Sequence, residues 1–285
     1  MQRRNEGFVK TSKGKVWYEI VGNKKSIPLI TVHGGPGYPH DYLEPLENLS
    51  HKRRIIFYDQ LGCGNSEKPV DTSLWTLERF VIELQEIIKT LGLKKYHILG
   101  HSWGAALAVS FAYRNNKGLK SLILSDPYIS TPYWERDAKR LIGELPENMQ
   151  KVLKKGDFDS KEYKKASKEF YFRFVWRLTS LPTPALRSNH KMSNEIYNYM
   201  WGPEEFRVSG TLKNLDLTSK LPQIKIPTLL LCGRYDEATP ESTKYFQSLF
   251  PKAEMKVFEY SAHLPLWTEK EEYLKIVGDF LQSVE

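Results

Sequence analysis

The sequence predicts an α/β protein: a mostly parallel β-sheet flanked by helices, with a helical segment inserted late in the chain. Three observations carry this prediction. Short apolar runs bounded by turn residues alternate with helix-period segments through the first half. The later runs are apolar at every position, as strands covered on both faces must be. The alternation stops between about Thr131 and Lys220 and then resumes to the C-terminus.

The first strand runs are Val16 to Val21, Leu29 to Val32, Ile55 to Tyr58, Tyr96 to Leu99 and Leu122 to Leu124. Between the third and fourth, Thr76 to Leu91 sets Phe80, Leu84, Ile87, Ile88 and Leu91 on one face at spacings of three and four, the period of an amphipathic helix. Ala105-Ala106-Leu107-Ala108 opens a second helix of small residues. From Thr131 to Lys220 the pattern is helical, aromatic and Lys-rich, with 17 Lys and Arg against 12 Asp and Glu and no apolar strand. Lys161, Lys164, Lys165 and Lys168 share one helical face there, which reads as a solvated surface ahead of a site for an anionic partner. The sheet pattern returns with Pro227 to Cys232, a helix from about Glu241 to Phe250, a strand from Met255 to Tyr260 and a helix from about Lys270 to Leu281. Residues 1–126 and 221–285 are thus assigned to the core, and 127–220 to the insertion.

Composition narrows the class. The 285 residues are 40% hydrophobic and 13% aromatic, enough apolar material for a large core, which excludes intrinsic disorder. The net charge of +8 is spread along the chain without a basic tail, a poor match to a nucleic-acid binder. Met1-Gln2-Arg3-Arg4-Asn5-Glu6-Gly7 opens with charge and no apolar run follows it. No segment approaches the roughly 18 apolar residues of a membrane span, so neither a signal peptide nor a span is expected. Two cysteines, Cys63 and Cys232, make no disulfide framework, and the expected compartment is the cytoplasm. None of the seven histidines sits at metal-ligand spacing, so neither metal nor cofactor is expected.

Gly100-His101-Ser102-Trp103-Gly104 has the form G-x-S-x-G, follows a strand and precedes a helix. That is the setting of a nucleophile elbow, where flanking glycines allow a sharp turn and the serine hydroxyl stands above the sheet. A serine needs a base and an orienting acid, which on this topology follow in the order Ser, Asp, His. Asp236 and His263 each lie just past a late strand, at the carboxyl edge where open α/β sheets place their sites. Asp59 also follows a strand, but its place in the chain makes it the poorer acid. The oxyanion of the intermediate requires N–H donors: the backbone of Trp103, and the loop His33-Gly34-Gly35-Pro36-Gly37. Asp59-Gln60-Leu61-Gly62-Cys63-Gly64-Asn65-Ser66 reads as a loop supporting the site wall.

HGGPG, DQLGCGNS, GHSWG, GRYDEATP and SAHLPLW, in this order and spacing, resemble the proline iminopeptidases, especially their archaeal tricorn-interacting branch. The likeness runs from about Tyr18 to the C-terminus. It implies the α/β-hydrolase fold: a mostly parallel eight-stranded sheet flanked by helices, with a helical cap inserted after the sixth strand. It implies Ser102, Asp236 and His263 as the triad and Gly35 and Trp103 as oxyanion donors, with Gly34 beside them on the substrate. It also implies carboxylates that hold the substrate's free amino group. Glu237 and Glu205 match, the latter in Trp201-Gly-Pro-Glu-Glu-Phe206 beside Glu204. Trp103 would also wall the first side-chain pocket, joined by Tyr171, Phe172, Phe174 or Trp176 unless these are core.

The expected activity is that of a serine aminopeptidase releasing an N-terminal proline or other apolar residue from short peptides. The alternatives are an esterase, amidase or lactonase on the same scaffold, and a binding protein that retains the pocket. No nucleic-acid or membrane partner is expected, and the tricorn-like resemblance implies a functional link to a larger protease that supplies peptides.

Overall fold

The computed structural model describes residues 4–23, 25–115 and 117–285; Met1-Gln2-Arg3, part of the N-terminal segment considered above, lie outside them. The strands are β1 (Arg4–Lys10), β2 (Lys15–Val21), β3 (Leu29–Val32), β4 (Ile55–Tyr58), β5 (Tyr96–His101), β6 (Leu119–Ser125), β7 (Thr228–Gly233) and β8 (Ala253–Phe258). They form one sheet in the order β1-β2-β4-β3-β5-β6-β7-β8. β2 pairs antiparallel with both neighbours, and every other pairing is parallel.

Among the α-helices, α1 (Leu77–Thr90) and α2 (Trp103–Arg114) precede the insertion. The insertion holds α3 (Thr131–Gly143), α4 (Glu147–Lys155), α5 (Lys161–Tyr171), α6 (Thr183–Lys191) and α7 (Asn194–Met200). After it come α8 (Pro240–Leu249), α9 (Pro265–Thr268) and α10 (Lys270–Ser283). Helix α1 begins where its sequence allows: the Thr76 hydroxyl accepts the Arg79 N–H at 3.2 Å, satisfying one of the amides that a helix start leaves free.

The sheet is covered on both faces, which is why its strands read as unbroken apolar runs. Ile30, Ile56, Ile98, Leu122 and Leu230 pack toward α1, α2 and α8. Leu29, Phe57, Leu99, Ile123 and Leu229 pack toward α10 and a 3-10 helix at His40–His51. Each such side chain contributes roughly 1.5–3 kcal/mol relative to exposure. Several bounds differ from the sequence expectation, β6 running from Leu119 to Ser125 among them, and one strand was missed. β1 was not legible, because only Val9 of Arg-Asn-Glu-Gly-Phe-Val-Lys is buried in this edge strand. β8 ends at Phe258 and not Tyr260, because the chain turns there and the Ser261 N–H reaches back to the Phe258 carbonyl.

The insertion has its own apolar centre, with Leu141, Leu145, Leu153, Phe170, Phe174 and Phe206. A bridge between Ser130 and Asp216 closes its base. Over the sheet's carboxyl edge, a π-helical turn at Phe172–Trp176 accepts two core amides: Glu237 N–H on Phe174 O at 3.2 Å and His263 N–H on Val175 O at 3.1 Å. Lys161, Lys164, Lys165 and Lys168 are exposed. Among the described residues no helix is long and apolar enough to cross a membrane. Both cysteines are free and buried.

Candidate active site

The turn between β5 and α2 forces Ser102 into φ 54°, ψ −121°, a backbone state that a side-chain-bearing residue adopts only under constraint. The constraint is close approach. A Cβ on Gly104 would lie 2.1 Å from the Val32 carbonyl oxygen, and one on Gly100 would lie 2.3 Å from that of Gly104. Glycine at both positions lets α2 start directly against β3, and the Ser102 N–H is fixed on the Ser125 carbonyl at 2.9 Å. Ser102 then faces a cavity of about 360 Å³ that it shares with His263, Gly34, Gly35, Glu205 and Glu237.

His263 Nδ1 donates to Asp236 Oδ1 at 2.7 Å, and the same oxygen accepts the Ala238 N–H at 2.8 Å. Both side chains are buried, Asp236 in the loop after β7 and His263 in the loop after β8. Asp59 is not a competing acid, because its Oδ1 is bound by His40 Nδ1 at 2.7 Å. That ion pair lowers the carboxyl's pKa despite burial and raises that of His40.

The loop after β3 and the start of α2 are tied together by Gln60. Its side chain donates to the His33 carbonyl at 3.1 Å and accepts the Trp103 indole N–H at 3.0 Å. Trp103 opens α2, so its backbone N–H has no carbonyl within the helix and is free for an oxyanion. Its side chain corrects the sequence reading: the indole is fully buried against Phe80 and does not wall the cavity. Of the aromatics considered with it, Tyr171 and Trp176 line the cavity, Phe174 is core and Phe172 is exposed. Gly34 lines the cavity, but its N–H is spent on the Tyr42 hydroxyl at 2.7 Å, so it offers substrate a surface and no amide.

His101, beside the nucleophile, completes that link. Its Nε2 meets the carbonyl of His263 at 3.0 Å, so Nε2 carries the proton and Nδ1 accepts from Tyr42 at 2.9 Å. Burial lowers its pKa to about 3, with His263 adding to the effect, so the ring stays neutral. The chain Gly34, Tyr42, His101, His263 thereby fixes the glycine loop relative to the loop of His263.

Glu205 and Glu237 both line the cavity, the first from the segment between β6 and β7 and the second from the loop after β7. Glu205 Oε2 accepts Tyr197 OH at 2.7 Å and Tyr171 OH at 3.3 Å, while the Trp134 and Trp201 indoles hold its backbone carbonyl. Both oxygens of Glu237 are buried without a partner. Burial is the main cause that raises both pKa values, well above the ordinary range for Glu237, which also feels Glu205 and Asp236. Glu204 is excluded from this pair, since it is buried elsewhere with Tyr163 and Arg207. Sequence reasoning had Gln60 only as part of a supporting loop, and missed Tyr197 and Asp126. The last sits immediately past β6, between the serine and the histidine in chain order, a position that could have flagged it.

A buried Asp–His pair beneath a strained serine, on a parallel sheet, defines a hydrolase centre. The family model for the alpha/beta hydrolase fold matches residues 27–270. A curated relative from Heyndrickxia coagulans, a proline iminopeptidase, is 46% identical over 98% of this chain and 99% of its own. The solved proline iminopeptidase of Mycobacterium smegmatis superimposes with a TM-score of 0.92 at 32% identity, covering 98% of both chains. The crystal structure of VinJ does so at 0.94 and 34%, covering 99% of both. The chain belongs to the proline iminopeptidase family.

Proposed function

We propose that the protein is a serine aminopeptidase that releases an N-terminal proline or another apolar residue from short peptides. The observation that carries this reading is the pair Glu205 and Glu237, two carboxyl groups held out of bulk water in the cavity that contains Ser102. Buried carboxyls with no cation beside them have raised pKa values, and a protonated amino terminus supplies the missing charge. Val175, Trp176 and Leu264 give the same cavity an apolar wall.

In this reading Ser102 Oγ attacks the scissile carbonyl while His263 Nε2 takes its proton, and Asp236 stabilises the imidazolium. The N–H groups of Trp103 and Gly35 receive the oxyanion. His263 returns the proton to the departing peptide amine, and water activated by the same ring hydrolyses the acyl-enzyme. Nucleophile, base and oxyanion donors are all supplied by the chain, so the scheme is complete without metal or cofactor. Residues 127–220 act as a cap that admits peptides and excludes folded proteins. We place the enzyme in the cytoplasm, downstream of a larger protease whose products are such peptides.

The test compares prolyl, alanyl and leucyl p-nitroanilides with an N-acetylated form of the best of them, using Ser102→Ala as the blank. Turnover of free-amino substrates alone supports the aminopeptidase, and their ranking gives the preference. Turnover of only blocked amides or simple esters rejects the roles of Glu205 and Glu237 and favours an esterase or amidase.

A further inference from the structure

A second carboxyl group stands behind the triad. Asp126 follows β6 at φ 50°, pinned there by its N–H on the Leu231 carbonyl at 2.7 Å. Because β6 and β7 are adjacent and parallel, this puts Asp126 beside the loop of Asp236. Oxygens of the two carboxyls and a ring nitrogen of His263 all lie within 4.8 Å of one another. Buried carboxyl oxygens ordinarily all find donors, yet only two of these four do. Asp236 Oδ1 takes His263 and Ala238, and Asp126 Oδ2 takes the Ser125 hydroxyl at 2.6 Å. Asp236 Oδ2 and Asp126 Oδ1 are buried without any partner.

We propose that Asp126 is a positioning residue of the triad, whose carboxyl carries a proton and donates it to Asp236 Oδ2. One shared proton satisfies both orphan oxygens, where two adjacent buried carboxylates would repel. It also leaves Asp236 a single anion, held from behind with Oδ1 turned to His263 Nδ1. The groups facing Asp126 agree with this. The titratable ones are Asp236 and Cys232 from β7 and its loop, His101 at 3.5 Å from the end of β5, His263, Tyr273 from α10 through Ser125, and Tyr42, and the Gly233 N–H also faces the carboxyl. None is a lysine or arginine that would hold a second anion. Burial first, then Asp236, raises the Asp126 pKa well above the ordinary carboxyl range.

The inference rests on the triad of the proposed function, so its test uses a fluorophosphonate that reports the serine whatever the natural substrate. Loss of labelling in Ser102→Ala establishes the triad separately; persistence of labelling there would remove both readings. Asp126→Asn keeps a donor in place of the acid proton and should label within about threefold of wild type, whereas Asp126→Ala, with no donor, should slow at least about tenfold. Thermal melts show that the variants compared are folded. If Asp126→Ala does not fold, the infrared difference between wild type and Asp126→Asn decides. A carboxylic-acid carbonyl band lost in Asp126→Asn at pH 7 supports the proposal, and absence of such a band overturns it. Labelling of Asp126→Asn as slow as Asp126→Ala overturns it too, as does a loss of wild-type labelling with EDTA, which would put a cation between the carboxyls.

Discussion

Under the proposed function, Glu237→Gln should separate recognition of the substrate amine from catalysis. In the unliganded protein the Glu237 carboxyl is buried with both oxygens unpartnered and its pKa raised well above the usual value, so glutamine replaces a neutral acid of the same shape. Stability should change little, by less than about 1 kcal/mol and about 2–4 °C in melting temperature. Binding is different, because an ammonium against an ionised carboxyl gains a charge-assisted hydrogen bond of about 1.5–3 kcal/mol that the amide does not supply. The expected loss in kcat/KM is therefore about 10- to 150-fold for alanyl p-nitroanilide and close to none for a neutral ester. The sign of the pH effect follows from the raised pKa. Below it Glu237 holds a proton that an incoming ammonium must expel, so kcat/KM for amine substrates rises with pH until the substrate's own amine deprotonates near about 8. Dividing each amine profile by the ester profile removes every group that acts only on the chemistry, and the rising part of that ratio should vanish in Glu237→Gln. Equal losses for amine and ester, or an unchanged ratio, would refute the assignment.

Three further predictions concern the frame around the site. Gly104→Ala puts a methyl 2.1 Å from the Val32 carbonyl oxygen, so α2 must shift; a loss of about 3 kcal/mol or more in denaturant titration is expected, with activity abolished. Trp103→Phe leaves the buried Gln60 carbonyl without its indole donor, at a cost of about 1–3 kcal/mol. Its kcat should fall with KM for prolyl substrates nearly unchanged, since the indole does not touch the cavity, and a selective rise in that KM would restore the pocket-wall role. Glu83 of α1, fully buried on the Leu61 N–H, has its pKa pushed up to about 8 by burial. A raised acid stabilises the fold below its unfolded pKa and loses that contribution as pH rises through the folded value. Wild type should therefore lose of order 3 kcal/mol, or about 6 °C, relative to Glu83→Gln between pH 5 and pH 8. Parallel melting curves for the two would show that Glu83 does not titrate in this range.

The sequence carried the fold wherever burial left a periodic mark. β3 to β7 are covered on both faces and α1 on one, and each was located from apolar spacing alone. β1 is an edge strand whose polar side chains face water, so only its pairing with β2 defines it. The 3-10 helix at His40–His51 contains Pro45 and lacks a clean helical stripe. At the candidate site, strand ends and chain order singled out Ser102 and His263, which the structure brings to one cavity. The direction of the Trp103 side chain was not legible, because it depends on Gly104 drawing α2 against β3. Asp126 escaped for a related reason. Ser-Asp-Pro is an ordinary turn until the register of β6 beside β7 sets it against Asp236.

The two hydrogen bonds that join the π-helical turn to the core bear on how proteins of this architecture can diverge. A lid fastened only at its two chain ends could be exchanged between relatives as a cassette. Here the carbonyls of Phe174 and Val175 are the acceptors for the amides of Glu237 and His263, so a graft with a different backbone path at that height would orphan two buried donors. The loops of Glu237 and His263 would both lose an anchor at once. Variation in substrate range should then accumulate in α4 to α7 and their side chains, while the path from Phe172 to Trp176 stays fixed. Engineering that respects this division would recombine the insertion on either side of the turn and leave the turn with the core it serves.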